Sequence, residues 1–411
     1  MTAFFDFDAI VLGAGAAGLM AAIHAAERGR RVLLLEKGKK PGVKILMSGG
    51  TRCNITHDCD NRGIVEAFGP NGKFLHSALA NFGVKETIAF FEAEGVATKV
   101  EDTGKIFPVS DRALDVLNAL LRRLGRTSAT LALQEPARDL EAIDGGFRVV
   151  TDKRTLSCER VVVTTGGLSF PGCGTTGDGY GFATKFGHTI VSTRPALVPV
   201  TVQPAWIKEL QGVTMPDIGL KVIEDSKVLS ARRGSTLFAH FGLTGPAPLD
   251  VSRAISGHST PTKLVLELDL LPNVKEPAFD DFLRIETAAN GKQLLAVVMS
   301  AMLPRRVCDQ LIQVCGLPLD RRAAALSKVE RQKLVAAVKH LRLPVKGTLG
   351  YEKAEVTAGG ISLDEIDSRT MQSKKHSGLY LAGEVLDLDG WIGGYNFQSA
   401  WSTGWLAGQH V

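Results

Sequence analysis

An α/β fold built on a parallel, dinucleotide-binding sheet is the class this sequence predicts, and three observations predict it. Near the N-terminus an apolar strand runs straight into Gly13-x-Gly15-x-x-Gly18. A second apolar strand ends on an acidic residue, Glu36. At the far end of the chain, a late strand and helix are joined through another glycine turn, Gly393-Gly394.

Ala9 to Leu12 is apolar without alternation, the pattern of a parallel strand buried on both faces. Gly13 permits the tight turn, Gly15 lets a pyrophosphate approach the backbone, and Gly18 lets the helix pack on the strand. The Ala-rich helix, entered at Ala16 and Ala17, runs to about Arg28 and is closed by Gly29. Its N-terminus offers free N–H groups and a positive dipole end to phosphates. Val32 to Leu35 is the second strand. Glu36 at its end is placed to accept hydrogen bonds from an adenosine ribose, and its carboxylate disfavours a 2′-phosphate.

Further on, residues 131–158 alternate in short runs around Asp144-Gly145-Gly146, which reads as an antiparallel meander. The strand from Val161 ends in Thr165-Gly166-Gly167, another close approach to a dinucleotide. Asp178 lies in a glycine-rich turn and caps, or helps a ligand bind beside, a helix over Tyr180–Phe186 closed by Gly187. At the C-terminal end, Leu379 to Ala382 reads as a strand leading to Gly383-Glu384, with a helix starting near Asn396. A site built from both chain ends favours FAD over NAD. Ser399, Ala400, Ser402 and Gly404 make that last helix small on one side.

Character changes at Pro195. Strand-like runs at Leu197–Val202, Ile218–Ile223 and Leu264–Leu270 precede helical patterns over roughly 276–341. The expected organisation is a discontinuous FAD-binding domain over 1–194 and 347–411, an inserted β-rich subdomain over 195–275 and an inserted helical subdomain over 276–346. The 411 residues suit two or three domains, and the 45% hydrophobic content suits a large core. No apolar run is long enough to span a bilayer, six cysteines show no CxxC spacing, and a cytoplasmic protein with reduced thiols and no metal is expected. The net charge of +5 permits an anionic cofactor or nucleic acid and demands neither.

Several stretches together are similar to the bacterial BaiN-like, aminoacetone-oxidase-like family of FAD flavoproteins: 13-GAGAAG-18, 44-KILMSGGTRCNIT-56, 104-GKIFPVSDRA-113, 164-TTGGLSFPGCGTTGDGYGFA-183, 237-LFAHFGLTGPAPLDVSR-253, 357-TAGGI-361 and 378-GLYLAGEVLDLDGWIGGYNFQSA-400. The resemblance runs along nearly the whole chain. It implies a Rossmann-type FAD domain of the two-dinucleotide-binding-domain flavoprotein type, with a β-rich and a helical insertion. One departure is visible, because Thr51 stands where the family usually has a third glycine.

The stretch from Lys44 begins like a strand and stops at Ser48-Gly49-Gly50. The resemblance implies that this loop lines the flavin, with Arg52 neutralising phosphate or reduced flavin and Asn54 bonding the cofactor. Lys37, Lys44, Ser48, Gly49, Cys53, Gly383, Glu384, Gly393, Gly394, Tyr395 and Asn396 complete the expected cofactor set. Cys53 has two readings, a buried apolar residue or a proton-transfer group. Tyr395 either packs or faces the flavin. His240, in a glycine-bounded loop, is structural or an acid–base group. The family's implied activities are hydride addition to a conjugated C=C (a ribosomal RNA uridine or an unsaturated small molecule), oxidation of an amine by oxygen, or RNA binding with a structural FAD. NADPH or NADH is the expected transient donor for the first. Basic pairs such as Arg232-Arg233, Arg305-Arg306 and Arg321-Arg322 suit RNA, or are solvated faces.

Overall fold

The computed structural model describes residues 5–411, and the chain divides into two compact units, Met1–Arg194 with Glu355–Val411, and Pro195–Ala354. The first unit opens with β1 (Phe7–Leu12), α1 (Ala16–Glu27) and β2 (Val32–Leu35). Next comes α2 (Val43–Thr51), where a strand-like start was expected. It is a helix broken at Ser48, Gly49 and Gly50, whose backbone leaves helical geometry. A three-stranded sheet follows from β3 (Thr56–His57), β4 (Thr98–Val100) and β5 (Lys105–Pro108), in the order β3-β5-β4. Short helices α3 (Asn61–Ala67), α4 (His76–Asn81) and α5 (Val84–Ala93) lie between its strands, and α6 (Ala113–Gly125) follows it.

The main sheet is completed by β6 (Thr130–Ala132), β7 (Ala137–Ile143), β8 (Gly146–Thr151) and β9 (Thr155–Val163). Its order is β6-β2-β1-β9-β8-β7. The meander expected over 131–158 is therefore split. β6 joins β2 in parallel, and only β7, β8 and β9 make antiparallel hairpins. The reason lies in β9: its end, Val161–Val163, is buried between β1 and a late strand, while its start pairs with β8. Then come α7 (Asp178–Lys185), capped by Gly177 in left-handed geometry rather than by Asp178, and β10 (Ile190–Ala196).

The second unit holds a closed barrel. Its strands are β11 (Val200–Val202), β12 (Thr214–Glu224), β13 (Lys227–Ala239), β14 (Gly242–Thr244), β15 (Leu264–Asp269) and β16 (Leu341–Thr348), in the order β11-β14-β13-β12-β15-β16. Closure removes the exposed sheet edges. α8 (Pro246–Ser256) packs on the barrel, and α9 (Glu276–Ala289), α10 (Leu295–Met299), α11 (Arg305–Val314) and α12 (Lys328–Lys339) precede its last strand. Barrel residues Leu266 and Leu268 share one core with helical residues Leu283, Leu311 and Leu334, so the expected β-rich and helical subdomains form a single unit. That unit extends past the expected boundary at 346, because β16 stays paired with β11 through Thr348.

The chain re-enters the first unit with β17 (Val356–Ile361), which pairs β10, and β18 (Leu379–Leu381), which adds to β9 in parallel. It ends in α13 (Tyr395–His410). The small residues of this helix let it lie on α1: a Cβ on Gly404 would stand 2.3 Å from the Ala17 carbonyl oxygen. Both chain ends thus converge on one face of the parallel sheet.

Candidate active site

The glycines of the first turn do different work. A Cβ on Gly18 would stand 1.8 Å from the Gly13 oxygen, and one on Gly13 would stand 2.8 Å from the Thr164 oxygen. These two permit close packing, and Gly13 also has a φ of 102°. Gly15 differs, since a Cβ there meets nothing within 4 Å. It borders open space at the N-terminus of α1, beside Ala16 and Ala17. Glu36 closes the turn from the other side. Its carboxylate accepts hydrogen bonds from Ala14 N at 3.0 Å and Gly38 N at 2.6 Å. Thr165 Oγ1 is buried with no partner, and Gly166 beside it has a φ of 73°. Gly167 packs so closely on Thr357 that a Cβ would stand 2.5 Å from its Oγ1. Asp178 is paired with Lys37, 2.6 Å away.

Four segments far apart in sequence meet around Glu384. Its carboxylate accepts from Lys44 Nζ at 2.8 Å, Ser169 Oγ at 2.6 Å and Thr357 N at 3.1 Å. The broken helix α2 thereby ties its first turn to the strand-to-helix connection after β18. Gly383 itself has a φ of 78°, and its N–H donates to Thr403 Oγ1 in α13.

The Ser48–Asn54 turn answers why two glycines precede Arg52. A Cβ on Gly49 would press on the Phe107 ring at 2.9 Å, while Gly50 faces open space, and both have positive φ. Thr51 adopts a φ of 70° despite its branched side chain, so the loop keeps its left-handed shape without the third glycine. Ser48 Oγ donates to the Ile45 carbonyl. Arg52 does not reach into the open space. Its guanidinium stacks 4.0 Å over Phe107 and pairs with Glu101 at 2.6 Å and Asp111 at 3.4 Å. Cys53 is fully buried, and burial pushes its thiol up to about 12. Asn54 is 8% exposed and its Oδ1 has no partner. That oxygen points at the Gly393-Gly394 turn, 2.8 Å from where a Cβ on Gly394 would sit.

Tyr395 begins α13 and stacks on His57, with ring centroids 4.5 Å apart and planes 21° apart. His57 Nδ1 lies 3.0 Å from the Gly393 carbonyl oxygen, and burial lowers the pKa of its ring. Nothing in the sequence singled out His57, a lone histidine two residues beyond the motif's last apolar position. The Asn396 side chain is taken up by the backbone of Gly390 and Trp391, so it clamps that turn. His240 lies in the other unit, exposed in the turn between β13 and β14, its ring edge-on to Phe241.

These features fit an adenine dinucleotide carrying a flavin. Gly15 would leave room for a pyrophosphate at a helix N-terminus, Glu36 would face the ribose, and Asn54 and Thr165 offer buried unpaired oxygens. Glu384, Lys44 and the Gly393-Gly394 turn would line the ring end. Fold and site define the class as flavin-dependent oxidoreductases.

The family described as "HI0933-like protein Rossmann domain" matches residues 7–410, and the chain belongs to it. It is 38% identical over 408 residues to the ribosomal RNA dihydrouridine synthase of Escherichia coli K12, covering 98% of each chain. It is 30% identical over 406 residues to the 3-dehydro-bile acid delta(4,6)-reductase of Clostridium scindens, covering 97% of each. Among solved structures it resembles the 3-ketosteroid-delta4-(5alpha)-dehydrogenase of Rhodococcus jostii RHA1, at TM-score 0.57 and 14% identity, over 100% of this chain and 98% of that one. That likeness is one of fold. The protein is an FAD-dependent oxidoreductase. No helix among the described residues is long and apolar enough to cross a membrane.

Proposed function

We propose that this enzyme is a reductase that adds a hydride and a proton across a C=C conjugated to a carbonyl, with a uridine of ribosomal RNA as substrate and NADPH or NADH as donor. One observation carries the reading. Two relatives that match end to end are named for acceptors as different as an RNA base and a bile acid, yet both names describe saturation of a conjugated C=C. The bound flavin supplies the hydride relay between donor and acceptor. Gly15 and Glu36 hold its nucleotide end, while Lys44, Glu384 and the turn before α13 shape the space where an acceptor meets it.

Two things favour RNA over a small molecule. The relative named for RNA has the higher identity. The charge is also unevenly divided. Pro195–Ala354 contains 21 Lys and Arg against 15 Asp and Glu, a net +6, and the rest of the chain therefore carries −1 of the total +5. A cationic unit suits a polyanionic substrate. The test is anaerobic incubation of the FAD-loaded protein with NADPH or NADH and unmodified ribosomal RNA, followed by nucleoside mass analysis. Dihydrouridine at one position is the expected product. Oxygen consumption with an amine and no RNA product would instead favour the amine oxidase reading.

A further inference from the structure

A hydride added to one carbon of a conjugated C=C leaves the other carbon in need of a proton. The residues that could give one are mostly excluded by their surroundings. Cys53 is sealed in the core, and Glu384 is held by three partners. A carboxyl that the sequence reading did not single out is placed differently.

Glu355 immediately precedes β17. Ala354 and Val356 on either side of it are buried, while Glu355 itself is exposed. Its backbone is fixed in the Lys44–Glu384 network. Ser169 Oγ lies 3.3 Å from its carbonyl oxygen, and two residues on, Thr357 N donates to Glu384. Its carboxyl has no hydrogen-bond or ion-pair partner among the described residues. The charged groups acting on it are Lys44 and Lys105. Lys105 stands opposite His57 in the β3–β5 pairing, and His57 stacks on Tyr395. Glu355 thus belongs to the ring of polar groups around the site and, unlike the Glu384 carboxylate, keeps its own carboxylate uncommitted.

We propose that Glu355 is the catalytic acid that delivers the proton to the acceptor carbon. This rests on the reductase reading above. The hydride, supplied through the flavin from the reduced nicotinamide, forms one C–H bond and draws the alkene π pair toward the carbonyl. That pair then takes the proton from the Glu355 carboxyl to form the second C–H bond. The nicotinamide is oxidised, the acceptor is reduced by two electrons, and the Glu355 carboxylate recovers a proton from water. Although solvent reaches the side chain, the protein packed around the Glu355 carboxyl raises its pKa above the ordinary value, against the opposing pull of Lys44 and Lys105, which favours the acid form.

The experiment compares the FAD-loaded wild type with E355Q and E355D. E355Q is expected to retain FAD and be reduced by nicotinamide near the wild-type rate, while reoxidation by the acceptor slows on the order of 10²–10⁴-fold. E355D, a shorter acid, is expected to recover part of that loss with a shifted pH profile. An infrared titration gives a readout independent of turnover: a protonated-carboxyl band absent from E355Q should persist above the ordinary glutamate range in the wild type. Should E355Q lose FAD, E355D and the titration still decide the matter. Wild-type reoxidation rates in E355Q, or a Glu355 that titrates as an ordinary surface glutamate, would overturn the assignment. A wild type that reduces no conjugated C=C would sink the reductase reading itself, and this proposal with it.

Discussion

At the scale of single residues, the glycines of the first turn divide into Gly13 and Gly18, which permit close packing, and Gly15, which borders open space. Gly15→Val places its side chain in open space, so the FAD-free protein should fold with nearly unchanged thermal stability and yet bind no flavin. Retention of full yellow colour would refute the pyrophosphate assignment. Gly18→Val, pressed on the Gly13 carbonyl, should instead fail to fold stably, as circular dichroism melting would reveal. Cys53→Ala is expected to keep both FAD and turnover, because a thiol pushed up to about 12 stays protonated and has no path to solvent. Its cost should be stability alone, about 1–2 kcal/mol for a small buried cavity, read by urea unfolding. The residues missed in the sequence share one physical reason. His57, Ser169 and Glu355 belong to no local pattern and gain meaning only from neighbours hundreds of positions away in the chain, such as Gly393 and Glu384.

At the scale of elements, the first βαβ unit was legible because its signals are local: unbroken apolar strands, glycines at fixed offsets and an acid at the second strand's end. α2 was not, because two glycines inside a nine-residue helix look like a stop. β13 went unread as well. It is the barrel's longest strand, but Arg232, Arg233 and Gly234 interrupt its apolar alternation. α1 is enclosed almost completely, and this has a consequence for acid stability. His24 lies among Phe82, Phe90 and Trp405, with Nε2 buried and unpaired, and burial lowers its pKa to about 4. The folded state therefore holds His24 neutral while the unfolded chain protonates it near its ordinary value of 6.5. Its contribution is full above that pH and declines as pH falls toward 4, by a total on the order of 3 kcal/mol. Urea midpoints of FAD-free protein should drop across this window in the wild type and drop less in His24→Phe. Equal slopes would mean that His24 is already solvated.

At the scale of the whole molecule, sequence character changes at Pro195, and the second compact unit starts at the same residue. The first unit's last segment starts at Glu355, and β16 carries no apolar break to mark in the sequence where the barrel ends. The uneven charge of the units makes a prediction of its own. If ribosomal RNA is the substrate, binding should weaken linearly on a logarithmic salt scale. Reversing Lys292 and Arg322, which lie together in the inserted unit and have no acidic partner among the described residues, should flatten that slope without altering FAD absorbance. Filter binding across a salt series would detect it, and an unchanged slope would place the RNA elsewhere.

The most direct measurement is anaerobic stopped-flow absorbance of the FAD-loaded enzyme, mixed first with NADPH or NADH and then with unmodified ribosomal RNA. A reductase of conjugated C=C bonds should lose its flavin band with a nicotinamide and regain it with the RNA, each turnover leaving one dihydrouridine. A flavin that neither nicotinamide bleaches, or that RNA cannot reoxidise while an amine and oxygen can cycle it, would contradict the account.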